Sequence, residues 1–340
     1  MQTNGPIQDY ARYASANSSK LLRPHAPGET SDSAIYIYRK SFSAVSQLAL
    51  LPSLFISGFA VVFYELIFPK LFETQYESDT NLQILEFCLY LFGGLTAGFI
   101  VATIGLAKIA TYAHVLVEAS VNNEEINRVE IERKAAGYFG VAYRTMLRTI
   151  WFTLAATMIS LVPIIIAGLM ISVTADDNVI PGLAAIYSSL GIPIGVIWSL
   201  TRLNIGLGAV SVALNEQKKP KEAIQRSKYL FGSKSKPPPK ANPAASAIGG
   251  SLLIYLLLRL GYSSLMSAIG VEEMVTKILP TPYLKVVGNI VMGILPEFIT
   301  IWLVTPYVAI AAAMFYYQRR ICVEGLDISI LNEKLPSSRR

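Results

Sequence analysis

Six stretches of this 340-residue chain are long and apolar enough to cross a hydrocarbon layer about 30 Å thick, which takes roughly 20 helical residues. They fall near 44–68, 83–116, 148–173, 181–214, 246–269 and 286–316. In lipid every backbone N–H and C=O must be satisfied within the protein, so runs of this kind are expected to be helical. The expected fold class is therefore all-α, a polytopic membrane helix bundle of six transmembrane helices. Hydrophobic residues make up 53% of the chain and charged residues 15%, a balance that makes the bilayer part of its solvent.

Charge sets the orientation. Outside the spans, Lys and Arg number five before the first span, five between 117 and 148, eight between 215 and 243 and five after 316. The other connections hold only Lys70, Lys277 and Lys285, together with the acids Glu73, Glu77, Asp79, Asp176, Asp177, Glu272 and Glu273. Positive charge is retained on the cytoplasmic side during insertion, so the basic face is expected to be cytoplasmic. Six spans then put both termini inside a plasma (inner) membrane. The domain reading is a disordered cytoplasmic tail over 1–33, a membrane domain over 34–332 and a short C-terminal tail over 333–340. No short apolar core lies near Met1, so no cleavable signal peptide is expected and the first span serves for targeting. Cys88 and Cys322 are expected on opposite sides of the membrane, which leaves no disulfide framework.

The spans group into three hairpin-like repeats of one pattern. Each has a basic and aromatic lead-in, an outward helix, a short acidic turn and an inward helix rich in small residues. The lead-ins are Tyr36 to Phe42, Lys134 to Arg148 and Glu222 to Lys236. The inward helices carry Ile104-Gly105-Leu106-Ala107, Ile205-Gly206-Leu207-Gly208 and Val308-Ala309-Ile310-Ala311, small residues that let backbones approach closely in lipid. Pro237-Pro238-Pro239 among lysines marks a flexible cytoplasmic loop over 232–243, because proline lacks the helical donor.

Two cytoplasmic stretches are the most distinctive. One is Phe315-Tyr316-Tyr317-Gln318-Arg319-Arg320, continuing through Glu324-Gly325-Leu326-Asp327; the other is Asn215-Glu216, leading into Glu222-Ala223-Ile224-Gln225-Arg226-Ser227. With the multi-span layout they resemble bacterial membrane proteins related to the membrane domain of glycerophosphoryl diester phosphodiesterases. The resemblance covers 33–332 in layout and about twenty positions in motif, and it implies a non-catalytic membrane module. The phosphodiesterase activity itself does not carry over, because it requires catalytic histidines and acidic metal ligands on a soluble barrel. This chain has only His25 and His114. From the residues alone, Tyr316 and Tyr317 suit the headgroup layer and Arg319 and Arg320 suit lipid phosphates, while Glu324-Gly325-Leu326-Asp327 suits a turn.

Ionisable residues deep in a span are the natural search list for chemistry. Arg259 in the fifth span and Glu297 in the sixth lie at similar depth and are expected to pair, either as an ion pair fixing helix register or as a polar site for solute passage. Pro296 and Pro306 are expected to kink or break the sixth helix, as in many transport sites. Lys108 with His114, and Arg202 with Asn204, lie toward inner helix ends where cationic side chains snorkel to headgroups. Zinc-protease, phosphate-loop, nucleophile-elbow and Cys-x-x-Cys motifs are all missing from the sequence. No metal, cofactor or catalytic residue is expected, and no nucleic-acid partner, since membrane orientation accounts for the basic loop.

The sequence thus points to a non-enzymatic scaffold, partner-binding or lipid-interacting module. Its expected partners are membrane lipids and other membrane or cytoplasmic proteins met through the inner-face loops. The alternative is a small transporter centred on Arg259 and Glu297. Pairing of those two residues makes Arg259→Leu and Glu297→Leu each lose assembled protein, since an uncompensated charge in lipid costs at least ~3 kcal/mol, whereas the double variant recovers most of it. Equal loss in the double variant, measured by monodisperse yield after detergent extraction, contradicts the pairing.

Overall fold

A computed structural model describes residues 27–62, 80–122, 127–173, 208–231 and 282–325, with isolated positions at 124, 206 and between 257 and 277. Arg259, Asp327, residues 1–26, the C-terminal tail, the 232–243 loop, Arg202 and Asn204 lie outside the described residues, as do most of the spans expected at 181–214 and 246–269. Residues 27–33, expected in a disordered tail, are instead helical and open the first helix. The described residues are helical, without strands. The helices are α1 (Pro27–Lys40), α2 (Phe42–Val62), α3 (Thr80–Asn122), α4 (Arg128–Val173), α5 (Pro220–Phe231) and α6 (Pro282–Glu324), and residues 208–215 add a helical segment before α5.

Three of these helices are unusually long: 43 residues in α3, 46 in α4 and 43 in α6. At about 1.5 Å per residue each is about 65 Å long, twice a bilayer core. Within them, Thr96–Asn122 and Ile294–Glu324 are long and apolar enough to cross a membrane. A third crossing is added if α1 and α2 count as one span, but their axes meet at 87°. Ser41 forms that corner without losing backbone hydrogen bonds: its N–H donates to Ile37 O (3.0 Å), and its carbonyl accepts from Val45 N (2.9 Å).

Helix ends follow local chemistry. Asn127 caps α4, its Oδ1 accepting from Glu130 N at 2.9 Å. Pro220 opens α5 at the first helical position, where a missing N–H costs nothing. Gly325, at φ 64°, ends α6 in the left-handed conformation and donates to Ile321 O at 3.1 Å. Helix α6 is continuous through Pro296 and Pro306, so neither proline breaks it into separate helices as expected. Each proline removes one backbone donor. Beside Pro296, the Thr300 hydroxyl donates to the Pro296 carbonyl at 2.7 Å.

The distribution of side chains is inverted relative to a water-soluble bundle. On α2, Ser46, Ser53 and Ser57 are buried, whereas Leu50, Leu51, Leu54 and Phe55 are exposed. On α3, Thr103 and Thr111 are buried while Ile100 and Ile104 face out; on α6, Thr300 is buried beside exposed Leu295 and Ile299. The inward hydroxyls bond to their own helices, as with Ser46 to Ser43 O, Ser57 to Leu54 O and Thr111 to Lys108 O. Inward hydroxyls beside outward large apolar side chains are the pattern found in helices that meet lipid.

The densest core lies at one end of the bundle. It gathers Ala34 and Ile37 of α1, Val45 and Leu48 of α2, Ala113 to Val121 of α3 and Ile131 and Ala135 of α4. Val212, Leu230 of α5 and the run from Ile310 to Tyr317 of α6 complete it. Helix α3 packs against α2, α4 and α6, and α6 against α1, α2, α3 and α5, so these two helices form the axis. Two long-range hydrogen bonds fasten α1 and α2 to α6: Tyr38 Oη donates to Leu303 O (2.9 Å) and Trp302 Nε1 to Ser46 O (2.7 Å).

The small residues singled out in the sequence sit at close approaches. A Cβ on Gly105 would lie 2.8 Å from Ile56 and 3.0 Å from the Pro52 carbonyl oxygen; one on Gly208 would lie 2.0 Å from the Phe231 ring. One on Gly206 would collide with Thr149 at 1.8 Å. Gly140 on α4, by contrast, has open space where its Cβ would be. Gly105→Val is therefore expected to destabilise the detergent-solubilised protein by about 1–3 kcal/mol through overpacking, whereas Gly140→Ala gains up to about 1 kcal/mol of helix propensity. Thermal unfolding of the two variants side by side checks the contrast.

Candidate functional site

At the densely packed end, the two distinctive stretches meet. Residues 208–215 end where Glu216 N donates to Val212 O (2.9 Å), and Gln217 turns the chain with φ 49°, a left-handed value rare for a side chain with a Cβ. This turn sends α5 across the end of α6. The face of α5 carrying Ala223, Ser227, Leu230 and Phe231 is buried, and Phe231 packs on Phe315 of α6 with ring centroids 4.9 Å apart.

Arg226 is the hub of the joint. Its Nε donates to both carboxylate oxygens of Glu216, at 3.3 and 3.2 Å, and its Nη2 donates to Glu324 Oε1 at the last turn of α6. Arg320, one turn back, donates from Nε to the other Glu324 oxygen (2.9 Å) and from Nη1 to the Tyr316 hydroxyl (3.2 Å). Tyr316 in turn donates to Glu216 Oε1 at 3.3 Å, and Lys218 lies 3.2 Å from Glu216 Oε2. Two guanidinium groups, two carboxylates and one phenol thus form a closed ring that joins the 216 turn, α5 and α6, with Lys218 attached to it at Glu216. The planar guanidinium suits this task because its donors diverge in fixed directions toward two acceptors.

Two further contacts complete the joint. Arg319, only 6% exposed, donates from Nε to Leu230 O at 2.9 Å, placing a cation on a carbonyl in the last turn of α5, where the helix dipole favours positive charge. Tyr317 Oη donates to Asn215 Oδ1 at 2.8 Å, and Asn215 Nδ2 donates to Ser211 O at 3.0 Å. The same Nδ2 lies 3.4 Å from His114 Nδ1, which accepts when the ring is protonated on Nε2. His114 is buried, edge-on to the Tyr138 ring.

These positions correct one expectation. Tyr316 is 0% exposed, and Tyr317 and Arg319 are also buried, so they are not headgroup anchors. Helix α5 covers this part of α6, and protein carboxylates and carbonyls take the bonds that lipid phosphates were expected to supply. His114 does not snorkel to the headgroups, because it is enclosed by Asn215 and Tyr138. The turn expected after Glu324 begins at Gly325. Of the residues singled out, Arg226, Arg320, Glu324 and Tyr316 come together in the ring, with Ala223 and Ser227 packed beneath it. Glu222 lies outside it on the exposed face of α5, in the first turn, where an acid suits the positive end of the helix dipole. Glu297 lies partly buried in α6, well away along the chain.

Sequence reasoning did not single out Glu216 as the common acceptor, nor Tyr38 and Trp302 as fasteners. The nearest available signal was the acid directly after Asn215 at a helix end, four residues before Pro220. Among the described residues no group of three or more His, Cys, Asp or Glu side chains is placed to hold a metal ion. No protein-family model, curated protein or solved structure matches the chain.

The geometry makes Arg226 more important than either acid alone. Arg226→Ala removes the cation shared by Glu216 and Glu324, leaving Glu216 to Lys218 and Tyr316 and Glu324 to Arg320, and is expected to cost about 1–3 kcal/mol, below the figure for a fully buried pair because all three side chains keep some solvent and both acids keep a partner. Arg226→Lys restores only part, since an ammonium lacks the divergent fork. Thermal unfolding in detergent is expected to rank the proteins wild type, Arg226→Lys, Arg226→Ala in falling stability.

Proposed function

We propose that the protein is a non-enzymatic, six-span module of the inner membrane, built as three hairpin-like repeats with both termini cytoplasmic. In this reading it serves as a scaffold that holds membrane lipids and other membrane or cytoplasmic proteins at its inner face. The observation that carries it is the closed ring around Arg226. Its cations are met by protein carboxylates, so the most distinctive residues of the chain are used to lock a shape. A locked joint presenting fixed outer faces is what a scaffold requires, whereas a hydrolase requires acids, bases and a cleft left free for substrate.

The inverted side-chain distribution on α2, α3 and α6 supports the membrane setting, and the basic loops support the orientation. The contact surface is the outer face of α5 and the start of α4. There Lys221, Gln225, Lys228 and Tyr229 of α5 and Arg133 and Arg144 of α4 are exposed. The resemblance to the membrane domain of glycerophosphoryl diester phosphodiesterases belongs to this reading, as a non-catalytic module.

Affinity purification of the full-length protein from its native membranes, with identification of co-purifying proteins and lipids, tests the proposal. A reproducible partner lost on Lys228→Ser/Tyr229→Ser, with the protein still folded, is the expected outcome; no reproducible protein or lipid overturns it. The second reading, a small transporter, rests on Glu297, a carboxylate partly buried within the apolar length of α6. It requires water to reach that depth, so rapid labelling of Glu297→Cys by a membrane-impermeant maleimide, in a background without Cys88 and Cys322, favours it over the scaffold.

A further inference from the structure

Helix α1 does not follow the direction of the bundle. It meets α2 at 87°, so if α2 crosses the bilayer, α1 runs along the membrane plane. One of its faces is committed to the protein. Thr30, Ala34 and Ile37 are buried, and Tyr38 packs on Phe42 and Tyr307 and bonds to Leu303 O. The other face has no protein cover among the described residues. Ile35 and Tyr36 are exposed, Tyr36 by 63%, as are Arg39, Lys40 and, just past the corner, Phe42.

The composition of that open face is ordered along its length. Glu29 and Asp32 lie toward the N-terminal end, Ile35 and Tyr36 in the middle, and Arg39 and Lys40 at the C-terminal end, one residue before the corner. The cations therefore sit where α2 begins its apolar run. Beyond the corner, the exposed side chains of α2 are Leu50, Leu51, Leu54 and Phe55. An aromatic residue with a polar tip, flanked by aliphatic groups and two cations at the start of a lipid-facing helix, matches the boundary between acyl chains and headgroups. Two adjacent cations there complement anionic headgroups, and a zwitterionic layer offers them no net attraction.

We propose that α1 is an interfacial helix that lies on the inner leaflet and binds anionic phospholipid, with Arg39 and Lys40 on the phosphates and Ile35, Tyr36 and Phe42 at the acyl boundary. This rests on reading α2 as a membrane span. The helix then fixes the depth at which the bundle sits: Tyr38 and Leu303 lie at the level of the headgroups, and the ends of α3 and α6 beyond that level project from the membrane. The ring around Arg226 stands on that projecting part.

Depth measurement tests the proposal in the full-length protein lacking Cys88 and Cys322. Nitroxide labels at Tyr36→Cys, Leu54→Cys and Glu132→Cys are compared in vesicles of phosphatidylcholine alone and with phosphatidylglycerol added, using oxygen and a water-soluble nickel chelate as relaxants. The expected result is a deep label at 54, a water-exposed label at 132 and a label at 36 in the boundary region that moves deeper when phosphatidylglycerol is present. In the Arg39→Gln/Lys40→Gln variant the dependence on phosphatidylglycerol disappears, and retention of phosphatidylglycerol in detergent falls by about fivefold per charge removed. A label at 36 as exposed as that at 132, while 54 stays deep, overturns the interfacial assignment and leaves the membrane reading standing. A boundary label indifferent to phosphatidylglycerol overturns the lipid-charge assignment, and an exposed label at 54 overturns the membrane reading itself.

Discussion

Arg226 is held between two carboxylates, Glu216 just past the end of one helix and Glu324 in the last turn of α6. That bridge acts with three other polar ties between α6 and its cover: Tyr316 to Glu216, Tyr317 to Asn215 and Arg319 to the Leu230 carbonyl. With them, Phe231 is brought over Gly208 and against Phe315. The hydrophobic contacts supply most of the area at this end of the bundle. The charges decide which of several apolar arrangements is adopted, because each alternative leaves a carboxylate or guanidinium unpaired in a partly dry setting.

The other end of the described bundle obeys a different rule. Where α2, α3 and α6 expose Leu, Ile and Phe, burial of large apolar side chains contributes less to association, as in helices that meet lipid. Close backbone approach takes its place, at Gly105 against Pro52 and Ile56, with hydroxyls turned inward and bonded to their own helices. Among the described residues, Ser53 is the exception, buried with no hydrogen-bond partner for its hydroxyl. Helices α3 and α6 thus pass from one kind of packing to the other without a break.

Much of this was legible from periodicity and composition alone. The apolar runs at 83–116 and 286–316 fall within α3 and α6, which are long and apolar enough to cross a membrane, and the small residues at Gly105, Gly206 and Gly208 mark real close approaches. The importance of the two stretches around Arg226 and Arg320 was visible as well, although their role was not. Reading Tyr316 and Arg319 one at a time assigns them to headgroups, because an isolated aromatic or cation at a helix end prefers that layer. Their burial depends on α5 folding back across α6, and that depends on a left-handed turn at Gln217, a residue type that gives no warning of it. The corner at Ser41 was hidden for a similar reason: serine neither breaks a helix nor demands that it continue.

Helix α6 carries two sets of attachments in one rigid element. Trp302 and Leu303 engage α2 and α1, and Arg320 and Glu324 engage the ring, some five turns further on. A helix turns by about 100° and rises by about 1.5 Å per residue, so one residue gained or lost between these levels would swing Glu324 away from Arg226. Seven residues would restore the angle but shift Glu324 by about 10 Å along the axis. The length of this segment is therefore fixed in angle and in height at once, and no insertion or deletion keeps both sets of attachments.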